Sequence, residues 1–317
     1  MLDQRFGLHP ALSDLKPWYD AKELIVFHAV ATQYRERSHF DAQAILENGL
    51  DDPKHVSDGW LGRTLKAVGW KERAFAVGGG IPTVLAGSDK VMTWSPGRTS
   101  VPEPDLIERL AMIYDHDVKR SGFGSEIRAS AGLIEGATKG MWGTPTNVSL
   151  AFSTAAGMMS AENGPNVAVI STNGWDTHNG QGLETGRLTN AVSALNDGLL
   201  ALRKGLGEAR WAQTCVLVVS EFGRTVAQNG TAGTDHGTAG FALLAGGNVA
   251  GGRIVADWPG LSGKALYQGR DLAPTLDTRA VMKGVLADHL GITQRVLDDV
   301  SFPETATLKP VPDLVKA

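Results

Sequence analysis

Apolar, β-branched residues occur along this chain in short runs, each followed by a polar, glycine-containing loop and often by a stretch with three-to-four apolar spacing. "HPALSDLKPWYDAKE" predicts a short helix with Leu12, Leu15 and Trp18 on one face. "ELIVFHAVAT" predicts a strand, and "RERSHFDAQAILENGL" a loop feeding a helix. Ser38 stands at the N-cap of that helix, Asp41 follows as in a capping box, and Gly49 suits the C-cap. "DGWLGRTLKAV" reads as helix and "FAVGGGIPTVLAGS" as a strand or loop pair broken by glycines. "PEPDLIERLAMIYDHD" predicts a helix opened by proline and acids, and residues from about 119 to 160 predict helix with loops.

The second half has a plainer alternation. "NVAVIST" is a strand, "LTNAVSALNDGLLALRKGLG" an amphipathic helix, "TCVLVVSEFGRT" a second strand, and "GFALLAGGNV" a third. Strand, helix, strand in succession predicts a parallel unit. The expectation is an α/β fold, a mostly parallel sheet flanked by helices, in a single domain over residues 1–317 with a helical insertion at about 50–160.

Composition narrows the function more than the fold. With 317 residues the chain is long enough for a sizeable core, and 42% hydrophobic and 20% charged residues are ordinary for a globular protein. The net charge of −4 and the lack of a long basic run argue against nucleic acid as a partner. No apolar run approaches membrane-spanning length. The single cysteine, Cys215, lies in an apolar run and reads as a small hydrophobe; one cysteine excludes cysteine-rich zinc sites. The N-terminus shows no basic and apolar export signal, so the chain as written reads as cytoplasmic.

Chemistry gathers at the strand ends. "VAVIST" leads to Asp176 and His178, "CVLVVS" to Glu221 and Arg224, and the loop "NGTAGTDHGTAG" presents Asp235 and His236 beside the third strand. "FHAVAT" leads to Arg37, Ser38, His39 and Asp41. In open α/β sheets ligands bind beyond the carboxyl ends of strands. Carboxylates and imidazoles without thiolates suit Zn, Mn, Fe, Co or Mg. Each element also has a plainer reading: an Asx-turn at Asp176, a salt bridge between Glu221 and Arg224, a turn cap at Asp235, an N-cap at Ser38. An N-cap serine at the positive end of a helix is also a potential nucleophile. His28 reads as a core residue, and His9, His55, His116 and His289 as structural or solvated.

Taken together, "RFGLHPAL", "HAV…RSHFDAQ", "DGWLGR", "GWDTHNGQ", "SEFGRT…NGTAGTDHG" and "GGRIVADWPGL…GRDL" resemble the DUF1501 family, grouped with the alkaline-phosphatase-like superfamily of phosphatases and sulfatases. The resemblance implies a divalent metal (Zn, Mn, Ca or Mg), one or two ions, held by Asp176, His178 and His236, with Glu221 serving a second ion. It implies Ser38 as the nucleophile, Arg37 or Arg224 as clamps on an anion, Asp235 as the partner of His236, and His39 and Asp41 as supporting groups. The superfamily's first strand, with a metal-binding aspartate, is expected upstream of "RFGLHPAL"; the expectation is that this sequence is either truncated before that strand or lacks it. Relatives are expected to be exported by the twin-arginine route.

These readings converge on a metal-dependent hydrolase or transferase acting on a small-molecule phosphate or sulfate ester. A degenerate member that binds a ligand or a protein partner without turnover is the alternative. The lack of a Cys-or-Ser-x-Pro-x-Arg signature at Ser38 argues against the formylglycine mechanism of sulfatases. The oligomeric state is left open.

Overall fold

Strand β1 (Leu24–Ala31) is buried along its whole length except at His28. Its side chains alternate between two cores, as the two-residue period of a strand requires. Leu24 and Val26 pack with Trp18, Leu199 and Trp211 on one side. Ile25 and Phe27 pack with Leu244, Val281 and Leu314 on the other. A strand buried on both faces reads as a continuous apolar run, which is what made it legible. The computed structural model describes residues 1–95, 111, 114, 124–129 and 147–316; the helix expected over "PEPDLIERLAMIYDHD", with His116, falls outside these but for two positions.

Among the described residues the strands form two sheets. In the five-stranded sheet the order is β5 (Val216–Val218), β6 (Gly240–Ala245), β1, β7 (Arg253–Val255), with β8 (Leu276–Asp277) also pairing with β1. β7 and β8 run parallel to β1, whereas β6 runs antiparallel to both β1 and β5. This sheet is therefore mixed rather than mostly parallel, a correction to the sequence expectation. The reason lies in the connection: β5 and β6 are joined by loop residues with no crossover helix, so the chain returns antiparallel. The second sheet, β3 (Val91–Trp94), β2 (Ala74–Val77), β4 (Val167–Ile170), is parallel throughout. β4 and β5 belong to different sheets, so the expected strand–helix–strand unit does not close within one sheet.

Helices cover the sheets: α1 (Lys16–Asp20), α2 (His39–Asn48), α3 (Trp60–Ala67), α4 (Asn147–Ser160), α5 (Arg187–Trp211) and α6 (Thr278–Leu290). The stretch expected as a helical insertion carries β2 and β3 as well as α3 and α4. α4 and α5 bury Phe152, Ala155, Ala156, Leu195, Leu199 and Leu202 in a common core. α2 ends as expected at Gly49, whose φ of 73° is a left-handed C-cap. Its start differs. Ser38 makes no side-chain capping bond, and Asp41 instead accepts a 3.0 Å hydrogen bond from the Tyr34 hydroxyl, so the capping box is not formed. No helix among the described residues is long and apolar enough to cross a membrane.

Candidate metal centre

The antiparallel course of β6 does not spoil the convergence of loops; it produces it. Gly240, at the start of β6, lies opposite Val30, near the end of β1. The segment entering β6 therefore arrives at the edge where β1 leaves, and brings His236 to α2. Two glycines allow the close packing of these loops. A Cβ on Gly233 would lie 2.3 Å from the carbonyl carbon of His178, and one on Gly237 2.4 Å from that of Arg224. Backbone bonds complete the fastening, from Thr234 N to Thr177 O and from Thr225 N to Asp235 O.

Three histidines and one aspartate meet there. His178 Nε2 lies 3.0 Å from Asp176 Oδ1, His236 Nε2 lies 3.3 Å from the same oxygen, and His39 Nε2 lies 3.5 Å from Oδ2. His178 Nε2 and His236 Nε2 are 2.9 Å apart. His39, Asp176 and His236 present ligand atoms all within 4.8 Å of one another. In a tetrahedral site with bonds of about 2.0–2.1 Å, ligand atoms are separated by about 3.3 Å. The Nε2 atoms of His178 and His236 and Oδ1 of Asp176, 2.9 to 3.3 Å apart, come close to that value, while His39 faces the other oxygen of the same carboxylate.

The outer nitrogen of every ring is tied to an oxygen. His39 Nδ1 lies 2.7 Å from Glu221 Oε1, His178 Nδ1 3.0 Å from Asp235 Oδ1, and His236 Nδ1 2.9 Å from the carbonyl oxygen of Arg37. A carbonyl only accepts, so His236 carries its proton on Nδ1. Burial pushes the Glu221 carboxyl up, but hydrogen bonds from its own backbone, His39 and Ser220 hold it below the usual carboxylate range. Asp235 is lowered by Asn229 and His178. Both are therefore acceptors, and His39 and His178 also donate through Nδ1. All three rings, when neutral, turn an Nε2 lone pair inward. The Nε2 of His39 is buried and has no hydrogen-bond partner.

Asp176 is the carboxylate of the cluster. Burial raises it, while the Arg224 guanidinium, bonded to Oδ1 at 2.6 Å, and the two nearby histidines bring it below its ordinary value. Phe222 closes one side, its ring 4.8 Å from that of His39 and 5.0 Å from that of His236.

The structure thus brings Asp176, His178, His236 and His39 together. Glu221, expected as a ligand, lies behind His39 with its second oxygen on the Ser220 hydroxyl. Asp235 supports His178 rather than His236. Arg37 turns its guanidinium to Asp271 and Gln268, and Arg224 spends its own on Asp176 and Thr234. Asp41 and Ser38 meet at the Tyr34 hydroxyl, whose pKa is raised by burial and by Asp41. Sequence reasoning passed over Asp271 and Arg270, although "GRDL" stood among the family-like segments. His28 is half-buried among Phe6 and Trp258, and His9, His55 and His289 serve local hydrogen bonds away from the cluster.

The family profile described as protein of unknown function (DUF1501) matches residues 129–301, more than half of the chain. The match includes three of the four loops that build the cluster; the Arg37–His39 segment precedes it. No curated protein and no solved structure matches this chain.

Proposed function

Since the chain belongs to the DUF1501 family, for which no function is described, we propose from the geometry of the cluster that it holds one divalent metal ion and hydrolyses or transfers a phosphate or sulfate ester. One observation carries the metal. His178 and His236 turn Nε2 toward each other at 2.9 Å; two lone pairs so placed repel unless a proton or a metal ion is shared between them, and a metal ion would meet the Asp176 carboxylate beside both as well. Three imidazoles and a carboxylate favour zinc over Ca or Mg, which prefer oxygen donors. The engagement of Glu221 by His39 favours one ion over two. The sequence resemblance supports an alkaline-phosphatase-like chemistry for such a centre.

A bound divalent ion supplies Lewis acidity to an ester oxygen. The chain's own residues supply the rest. The first amides of α2, beside His39, favour an anion at the positive end of the helix. Ser38, with its hydroxyl free of the cap, is the nucleophile: its oxygen bonds to phosphorus or sulfur as the ester oxygen leaves. Its proton passes to the Tyr34 oxygen, while the Tyr34 proton passes to Asp41, 3.0 Å away. Arg270, bonded to the His236 carbonyl and 43% exposed against 20% for Arg37 and 22% for Arg224, is the guanidinium assigned to the incoming anion on this reading. Arg224 neutralises Asp176 in this structure, and that observation favours the second reading, a member that binds an anionic ligand without turnover.

The experiment joins metal content to turnover. Protein purified without chelators should carry close to one ion per chain by mass spectrometry, and the Asp176→Ala/His236→Ala variant should carry none. Release of nitrophenol from its phosphate or sulfate ester should disappear in Ser38→Ala while the metal stays. Full turnover in Ser38→Ala sinks the nucleophile; metal without turnover in the unaltered protein leaves the binding reading.

A further inference from the structure

Asp271 is completely buried, yet it does not touch the cluster. Its Oδ2 accepts from Arg37 Nε at 2.9 Å and from the Thr238 hydroxyl at 2.8 Å, and its Oδ1 accepts from Arg270 Nε at 2.8 Å. Burial raises its carboxyl, and the bonds from Arg270, Thr238 and Arg37 more than offset this, so it is held ionised. A buried carboxylate is costly unless it is paired and hydrogen-bonded, and here two arginines and a hydroxyl supply those bonds.

Both arginines lead to the same residue. The carbonyl of Arg37 receives the Nδ1 proton of His236, and Arg270 Nη2 donates to the carbonyl of His236. Arg37 takes a φ of 61°, unusual for a residue with a side chain, and its guanidinium is pinned at Asp271 and Gln268. Thr238, the third donor to Asp271, stands two residues beyond His236. One carboxylate therefore holds the backbone before the helix, the backbone of His236 and the strand entry after it.

We propose that Asp271 is the positioning residue of the centre: through Arg37 and Arg270 it fixes the orientation and tautomer of His236, so that Nε2 faces Asp176. The proposal rests on the metal reading for its effect on affinity, but not for its effect on the imidazole. Outer partners of ligating histidines typically change metal affinity by about 10–100-fold, because they set ring orientation and basicity.

The test uses the full chain with Asp271→Asn, and Arg37→Met as a milder variant that leaves Asp271 its bonds from Arg270 and Thr238. Nitrogen-15 NMR of the histidine rings in chelator-treated protein reads the His236 tautomer; a zinc titration reads affinity. Circular dichroism restricts both readings to folded variants. The expected result is a single Nδ1–H form in the unaltered protein, a mixture of tautomers in each folded variant, and zinc binding weakened by about tenfold or more. Retention of the Nδ1–H form in a folded variant overturns the proposal. A tautomer change in protein that binds no zinc even when unaltered upholds the positioning role and removes the metal reading instead.

Discussion

His39 and Glu221, 182 residues apart in sequence, meet through Nδ1 and Oε1 at 2.7 Å, while the opposite nitrogen of the ring is buried 3.5 Å from Asp176. The carboxylate fixes which edge of the imidazole faces the cluster. This arrangement of carboxylate, imidazole and inner ligand position is common where a histidine binds a metal.

The pair makes a direct prediction. Glu221→Gln keeps the shape but loses the charge that draws the Nδ1 proton. Metal affinity should fall by about 10–100-fold, without loss of the ion at saturating concentration. Competition with a chelating dye measures this. An unchanged dissociation constant would remove Glu221 from the centre, and a loss of half the bound metal would make it the ligand of a second ion.

The acid side of the stability profile depends on a different pair. Lys283 is completely buried, and its ammonium donates to Asp298 at 2.6 Å and to the carbonyls of Thr305 and Leu308. Burial raises the Asp298 carboxyl, but Lys283 and Gln294 lower it further than burial lifts it. A depressed folded pKa means stability that is fully present above the unfolded value, near about 4, and lost as pH falls through the folded value. Asp298→Asn should cost roughly 1.5–3 kcal/mol at pH 6, the usual range for a hydrogen bond to a charged group. The difference should shrink toward zero as the unaltered protein is acidified. Urea unfolding from pH 6 downward provides the test, and parallel curves would falsify the assignment.

The glycine of "GTDHG" that precedes Asp235 has a steric role, not a conformational one. Gly233 lies so close to the His178 backbone that a Cβ would meet its carbonyl group at 2.3 Å. Gly233→Ala should destabilise the protein by roughly 1–3 kcal/mol through forced backbone movement. It should also weaken metal binding, because the loop that moves carries His178. Gly230, with open space around its Cβ position, is the control. Equal melting temperatures for the Gly233→Ala and Gly230→Ala proteins would contradict the packing argument.

Much of the scaffold can be read from the chain because its signals are local. The apolar run of β1, the amphipathic spacing of α5 and the left-handed cap at Gly49 each depend on a few neighbouring residues. The same holds for the placement of Asp176, His178 and His236 in polar loops at strand ends. Strand direction was less legible: the sequence of "TCVLVV" and "GFALLA" reads the same for either pairing, and the absence of a helix between them was the one clue to the antiparallel return.

By itself, then, the sequence determined strands β1, β4, β5 and β6 and helices α2, α3 and α5, and that carboxylates and imidazoles crowd the loops between them, while β3, β7, β8 and α6 carried no signal read from it. Only the tertiary structure decided which imidazole edge faces inward, that His39 joins the cluster while Glu221 stands behind it, and that Asp271 anchors the two arginines around His236. The physical reason is that an imidazole's orientation and tautomer are set by the group its far nitrogen meets. Here those partners are Glu221 for His39, Asp235 for His178 and the Arg37 carbonyl for His236, each brought from another loop by the packing of the sheet.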